Sequence, residues 1–145
     1  MHRGLKYTPS AVIMNHGLHQ DSESLTDLKS ELSLLIHQTE ETFRKYRTVY
    51  ILHSPTFFNK SAPTYHSLIS RLTVDYSNTA VVSALPQWNA LNGRYLDMYN
   101  LSKQLHHVPG CPRTDGIHFN YWCNYQALGV QWDFNWLRYL GVITS

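Results

Sequence analysis

Apolar residues come along this chain in two rhythms. Ala11-Val12-Ile13-Met14 is a short unbroken run that stops at Asn15-His16-Gly17, which predicts a buried strand ended by a polar turn. Ser24-Leu25-Thr26-Asp27 then places a capping hydroxyl three residues ahead of a carboxylate. Leu25, Leu28, Leu32, Leu35, Thr39, Phe43 and Tyr46 follow at steps of three and four, predicting an amphipathic helix over 25–46. Arg44, Lys45 and Arg47 sit at its end, where the helix dipole favours cations. Thr48-Val49-Tyr50-Ile51-Leu52-His53 is β-branched and aromatic and reads as a second strand, ended by Ser54-Pro55. Residues 54–64 read as a loop, and 65–76 as a short helix. Residues 77–92 admit a strand at Thr79-Ala80-Val81-Val82; helix is preferred, with Pro86 beginning or kinking it. Tyr95-Leu96-Asp97-Met98-Tyr99 is expected as a third strand. Tyr121, Tyr125, Leu128, Trp132, Trp136 and Tyr139 predict a last helix from about 120 to a Gly141 cap. Trp122, Trp132 and Trp136 are expected in the core, while the spacing leaves Trp88 undecided.

Strand alternating with helix implies an α/β fold with parallel strands and right-handed crossovers. Three strands are few for a parallel sheet, which is normally covered on both faces. Either an edge is covered by something else, or the chain is part of a larger domain. Its 145 residues form one unit, with no repeat or linker. At 43% hydrophobic residues it can build a core, which excludes a disordered chain. A net charge of +2 without a Lys/Arg cluster excludes nucleic acid as the expected partner. The apolar runs are too short to span a bilayer, and no apolar leader follows Met1. Two N-x-S sequons, at Asn59 and Asn100, are compatible with a secretory lumen. Cys111 and Cys123 flank the most suggestive motif; a disulfide between them and two ordinary thiols both stay open.

Ligands of open α/β sheets bind outside the carboxyl ends of the strands. Three polar clusters follow the predicted strands: Asn15-His16-Gly17-Leu18-His19, His53-Ser54, and the loop 109–120. The last contains Thr114-Asp115-Gly116-Ile117-His118. A carboxylate three residues before a histidine, across a glycine turn, can reach the imidazole Nδ1. It then fixes the tautomer and leaves Nε2 free as a base for a hydroxyl nucleophile. The plainer reading is a turn aspartate capping the next helix beside a surface histidine. Nine histidines invite a metal, with His16 and His19 or His106 and His107 as ligands. No helical H-x-x-x-H or paired C-x-x-C supports one, so neither metal nor cofactor is expected.

Asp115-Gly116-Ile117-His118-Phe119, after a strand bearing an acidic residue (Asp97) and ahead of the final helix, resembles the last block of the SGNH hydrolases, the GDSL-type esterases. Asn15 at a strand end resembles that family's oxyanion-donating asparagine. The usual Gly-x-Asn-Asp is here Ile13-Met14-Asn15-His16, and Asn15-His16-Gly17-Leu18-His19 looks closer to the PC-esterase-like lumenal branch. The resemblance implies a partial flavodoxin-like three-layer sandwich with about three parallel strands, its N-terminal strands missing. Residues 1–145 would then be the C-terminal part of one hydrolase domain. It implies ester hydrolysis or acyl transfer on O-acyl groups, carbohydrate esters included, with Asp115 and His118 catalytic and Asn15 at the oxyanion. No Gly-Asp-Ser block is present, so the serine is expected upstream, in the missing N-terminal half, and the isolated chain is expected to be inactive. His16, His19 and Ser54 are secondary candidates. The alternatives are a non-catalytic remnant serving as a binding module, and a histidine-rich metal-binding domain. A secreted or lumenal location is the expectation that goes with a Cys111–Cys123 bond.

Overall fold

Three short strands, β1 (Ala11–Asn15), β2 (Val49–His53) and β3 (Arg94–Leu96), lie parallel in the order β1-β2-β3. The computed structural model describes residues 9–16, 24–59, 61, 71–123, 129, 135, 137–139 and 141. Asn15 is in register with His53, and His53 with Leu96, so these three residues mark the carboxyl edge of the sheet.

Helix α1 (Leu25–Phe43) joins β1 to β2, and its Ser24 cap accepts the Asp27 N–H at 3.4 Å. Its inward face is Leu28, Leu32, Ile36 and Thr39. Ile36 takes the place expected of Leu35, which is 38% exposed. The steps of four from Leu28 carry the buried stripe past position 35 and onto 36. Helix α2 (Arg71–Ala90) lies between β2 and β3 and packs against α1. It is one helix where two were expected, and Pro86 sits inside it. A proline so near the helix end removes a single N–H bond, and the packed face outweighs that loss. The proposed start at residue 65 lies outside the described residues.

Period-two alternation sends Val12 and Met14 of β1, and Tyr50 and Leu52 of β2, to the face covered by both helices. There they meet Leu32, Ile36, Val81, Ala84 and Trp88. Trp88 is fully buried and meets Tyr50 edge-on at 5.9 Å, so the undecided tryptophan is the largest core residue. Trp122, expected inside, is 67% exposed; Trp132 and Trp136 lie outside the described residues.

The third strand is shorter than expected. It stops at Leu96, and Asp97 caps a helix that periodicity had not suggested, α3 (Met98–Leu105). The Asp97 carboxylate accepts the Asn100 N–H at 3.0 Å, and the Ser54 hydroxyl, from the loop after β2, accepts the Tyr99 N–H at 2.8 Å. Two of the unpaired donors at a helix start are thereby satisfied. Of the expected last helix, α4 (Tyr121–Cys123) and a few isolated positions are described. No helix among the described residues is long and apolar enough to cross a membrane.

The α2–β3 turn is tightly specified. Asn92 has φ 56°, and a Cβ on Gly93 would stand 2.4 Å from the Trp88 Nε1. That indole N–H donates to the Arg94 carbonyl at 2.8 Å. Gly93→Ala should therefore lower stability by about 1–3 kcal/mol through overpacking. Asn92→Gly should be close to neutral, since glycine accepts positive φ freely. Urea unfolding of the two variants checks the contrast.

Candidate active site

The chain leaving α3 turns back on itself over residues 110–120. Arg113 N donates to His118 O, and Asn120 N to Cys111 O, both at 2.8 Å, with a bridge between Pro112 and Phe119. Cys111 and Cys123 are disulfide-bonded, with α-carbons 5.5 Å apart, which closes the question the sequence left open. Cys111 and Phe119 pack with Leu96 and Met98, and Ile117 packs with Phe58 and Val74. Asn59 N donates to Gly116 O at 2.8 Å. These contacts hold the tip of the hairpin beside the loop that leaves β2, at the carboxyl edge.

At that tip one carboxylate makes three bonds. Asp115 Oδ1 accepts the backbone N–H of Ile117 and of His118, both at 2.9 Å. Asp115 Oδ2 lies 2.7 Å from His118 Nδ1. Gly116 has φ 79°, a left-handed value that lets the chain reverse between the two residues. Burial alone would raise the Asp115 pKa, but the His118 and Ile117 amides and the His118 ring outweigh it and bring it from 3.8 to about 2. An ionised carboxylate only accepts, so the ring nitrogen facing it is Nδ1–H. His118 is mostly exposed, and among the described residues no hydroxyl or thiol hydrogen-bonds its ring.

The other candidates divide. Asn15 is exposed at the end of β1, on the same sheet edge, and its side-chain amide has no hydrogen-bond partner among the described residues. It makes no direct bond to the Asp115–His118 pair. Ser54 is fully buried, and its hydroxyl serves the Tyr99 N–H. A sealed hydroxyl committed to a helix cap is unavailable for attack. His16 is buried, with neither ring nitrogen partnered among the described residues, and burial lowers its pKa against the opposing field of Glu31. His19 lies outside the described residues. His53 is buried and its Nδ1 meets the Ser54 carbonyl at 3.1 Å. His106 is wedged between Phe57 and Phe119, with ring centroids 5.4 and 4.8 Å away. Among the described residues no group of three or more His, Cys, Asp or Glu is placed to hold a metal.

Sequence reading missed Ser102 and gave Ser54 a different task; the two serines fasten the loop after β2. Ser102, fully buried, accepts the Phe57 N–H at 2.8 Å and donates to Met98 O at 2.6 Å. Together with Ser54 it ties residues 54–57 to α3, and so fixes the surface on which the hairpin rests. Their only signal was position, one after a strand and one within a short amphipathic stretch.

No family model matches the chain, and no curated protein matches it either.

Two outcomes follow from this geometry. The unreduced protein should titrate no free thiol from Cys111 or Cys123, and reduction should cost on the order of 3 kcal/mol in urea unfolding. The depressed Asp115 pKa stabilises the hairpin above the unfolded value near 3.8, and that contribution disappears as pH falls toward about 2. A carbon-13 titration of the Asp115 carboxyl should have its midpoint near 2; a midpoint near 4 would contradict the triple bonding.

Proposed function

We propose that this chain carries the base and its orienting carboxylate for an SGNH-like ester hydrolase or acyl-transfer site, acting on O-acyl esters. The observation that carries the reading is the 2.7 Å contact between Asp115 Oδ2 and His118 Nδ1, on a disulfide-closed hairpin at the carboxyl edge of a parallel sheet. The finer fold proposal is that β1, β2 and β3 are the last three strands of a wider flavodoxin-like sheet. Their unbroken spatial order is compatible with that, and Ile13, 40% exposed on the face away from α1 and α2, leaves room for a further layer.

In this reading His118 Nε2 removes the proton of a serine hydroxyl as its oxygen attacks the acyl carbonyl. Asp115 holds the ring in the Nδ1–H tautomer and stabilises the imidazolium that forms. The proton then passes from Nε2 to the departing alkoxide. The exposed Asn15 amide donates to the oxyanion, a contribution of roughly 3 kcal/mol for one such donor. The proposed serine lies in a segment outside these 145 residues, since the sequence lacks a Gly-Asp-Ser block. Among the described residues Ser54 is sealed and no hydroxyl meets the His118 ring. Substrate class beyond an O-acyl ester, including carbohydrate esters, rests on the resemblance alone. The disulfide favours an oxidising compartment, secreted or lumenal.

A second reading, a non-catalytic binding module, is favoured by the same lack, among the described residues, of a hydroxyl partner at His118. Hydrolysis of 4-nitrophenyl acetate separates the two. The 145-residue chain should match background. Protein that includes any residues encoded ahead of Met1 should turn over, and His118→Ala should remove about two to four orders of magnitude of that rate. Background rates in every form would leave the binding module. Turnover by the 145-residue chain that is lost in Ser54→Ala would overturn the placing of the nucleophile.

A further inference from the structure

The amino-terminal edge of the sheet, opposite the Asp115–His118 hairpin, holds a cavity of about 510 Å³. That is within the usual range for small-molecule sites. Its walls are the end of α1, the starts of β2 and β3, and the α2–β3 turn. Three guanidinium side chains line it, Arg44, Arg47 and Arg94, against one carboxylate, Glu40. Arg44 is engaged by Glu41 at 3.3 Å. Arg47 and Arg94 make no ion pair among the described residues. Tyr46 and Tyr139, both half-buried, supply the aromatic part of the lining, and Tyr50 closes it from the core side.

The backbone that carries these side chains is held by the fold. The Trp88 indole donates to the Arg94 carbonyl, and the Asn92–Gly93 turn admits no side chain against that indole. Arg47 precedes Thr48, whose hydroxyl donates to the Pro9 carbonyl at 3.0 Å. Tyr139 is tied to the Tyr95 carbonyl through its hydroxyl at 3.0 Å. Guanidiniums bind oxyanions with paired N–H donors and stack on rings, and tyrosine faces accept flat groups.

We propose that this amino-edge cavity is a binding site for a planar ring bearing an oxyanion, such as an aromatic phosphomonoester. Arg47 and Arg94 hold the anion, and Tyr46 and Tyr139 hold the ring. Two sources present this chemistry, a nucleotide and a simple aromatic acid ester. The site is separate from the hairpin and does not depend on the esterase reading.

Calorimetric titration of the folded 145-residue protein with phenyl phosphate, adenosine 5′-monophosphate and inorganic phosphate tests it. Phenyl phosphate or the nucleotide should bind saturably with Kd below about 1 mM, and inorganic phosphate more weakly. Arg47→Gln with Arg94→Gln should weaken binding at least about tenfold, with an unchanged circular dichroism melt. Both arginines are exposed, so the double variant should fold. His118→Ala should bind as the parent does. Tighter binding of the nucleotide identifies that source, and equal binding identifies the ring and oxyanion alone. Inorganic phosphate binding as tightly as the ring compounds would overturn the proposal, as would full affinity in the double variant or no saturable binding of any probe.

Discussion

The Asp115 carboxylate divides its two oxygens between backbone and ring. One oxygen accepts the Ile117 and His118 amides and so makes the turn; the other meets His118 Nδ1. The turn and the ring orientation are consequently one event. An aspartate that lost its charge would weaken both, because a protonated carboxyl accepts less strongly. The same bonds hold its pKa near 2, so the arrangement persists across the whole range in which a histidine base is useful. The disulfide and the Cys111–Phe119 contacts with Leu96 and Met98 fasten this turn to the sheet edge.

The rest of the domain serves that edge through two buried serines. Ser54 and Ser102 satisfy amides of Tyr99 and Phe57, and so join the loop after β2 to the helix after β3. A fully buried hydroxyl left unpaired would cost about 1–3 kcal/mol, and each of these has a partner. The opposite edge is organised differently. Trp88 fills the core and also reaches the Arg94 carbonyl, so one side chain sets both the packing of α2 and the start of β3. The two ends of the sheet are thus supported by separate contacts.

Much of this was legible before any coordinates. The β-branched run at 48–53 and the capped stripe from Ser24 needed only local rules, and β2 and α1 formed close to where those rules put them. The spacing of Asp115 and His118 also announced a contact that the structure contains. Four features escaped for physical reasons. Tyr95 to Tyr99 alternates like a strand, but Asp97 and the distant Ser54 cap a helix there, and the second cap is a tertiary contact. Pro86 was read as beginning or kinking a helix, although it sits inside α2, near whose end it removes one bond. Trp122 matched a helical core spacing, yet at the disulfide-bound start of α4 it stands in solvent. Ser54 looked like a candidate because it follows a strand, and only burial reveals its structural task.

The central claim is that Asp115 locks His118 into the tautomer a general base requires. Nitrogen-15 spectroscopy of labelled histidine at a pH where the ring is neutral reads this directly. The account predicts that the His118 proton resides on Nδ1 in the parent protein, and that Asp115→Asn shifts the population toward the Nε2–H form common in free imidazole side chains. A parent His118 carrying its proton on Nε2, or a tautomer indifferent to Asp115→Asn, would contradict it.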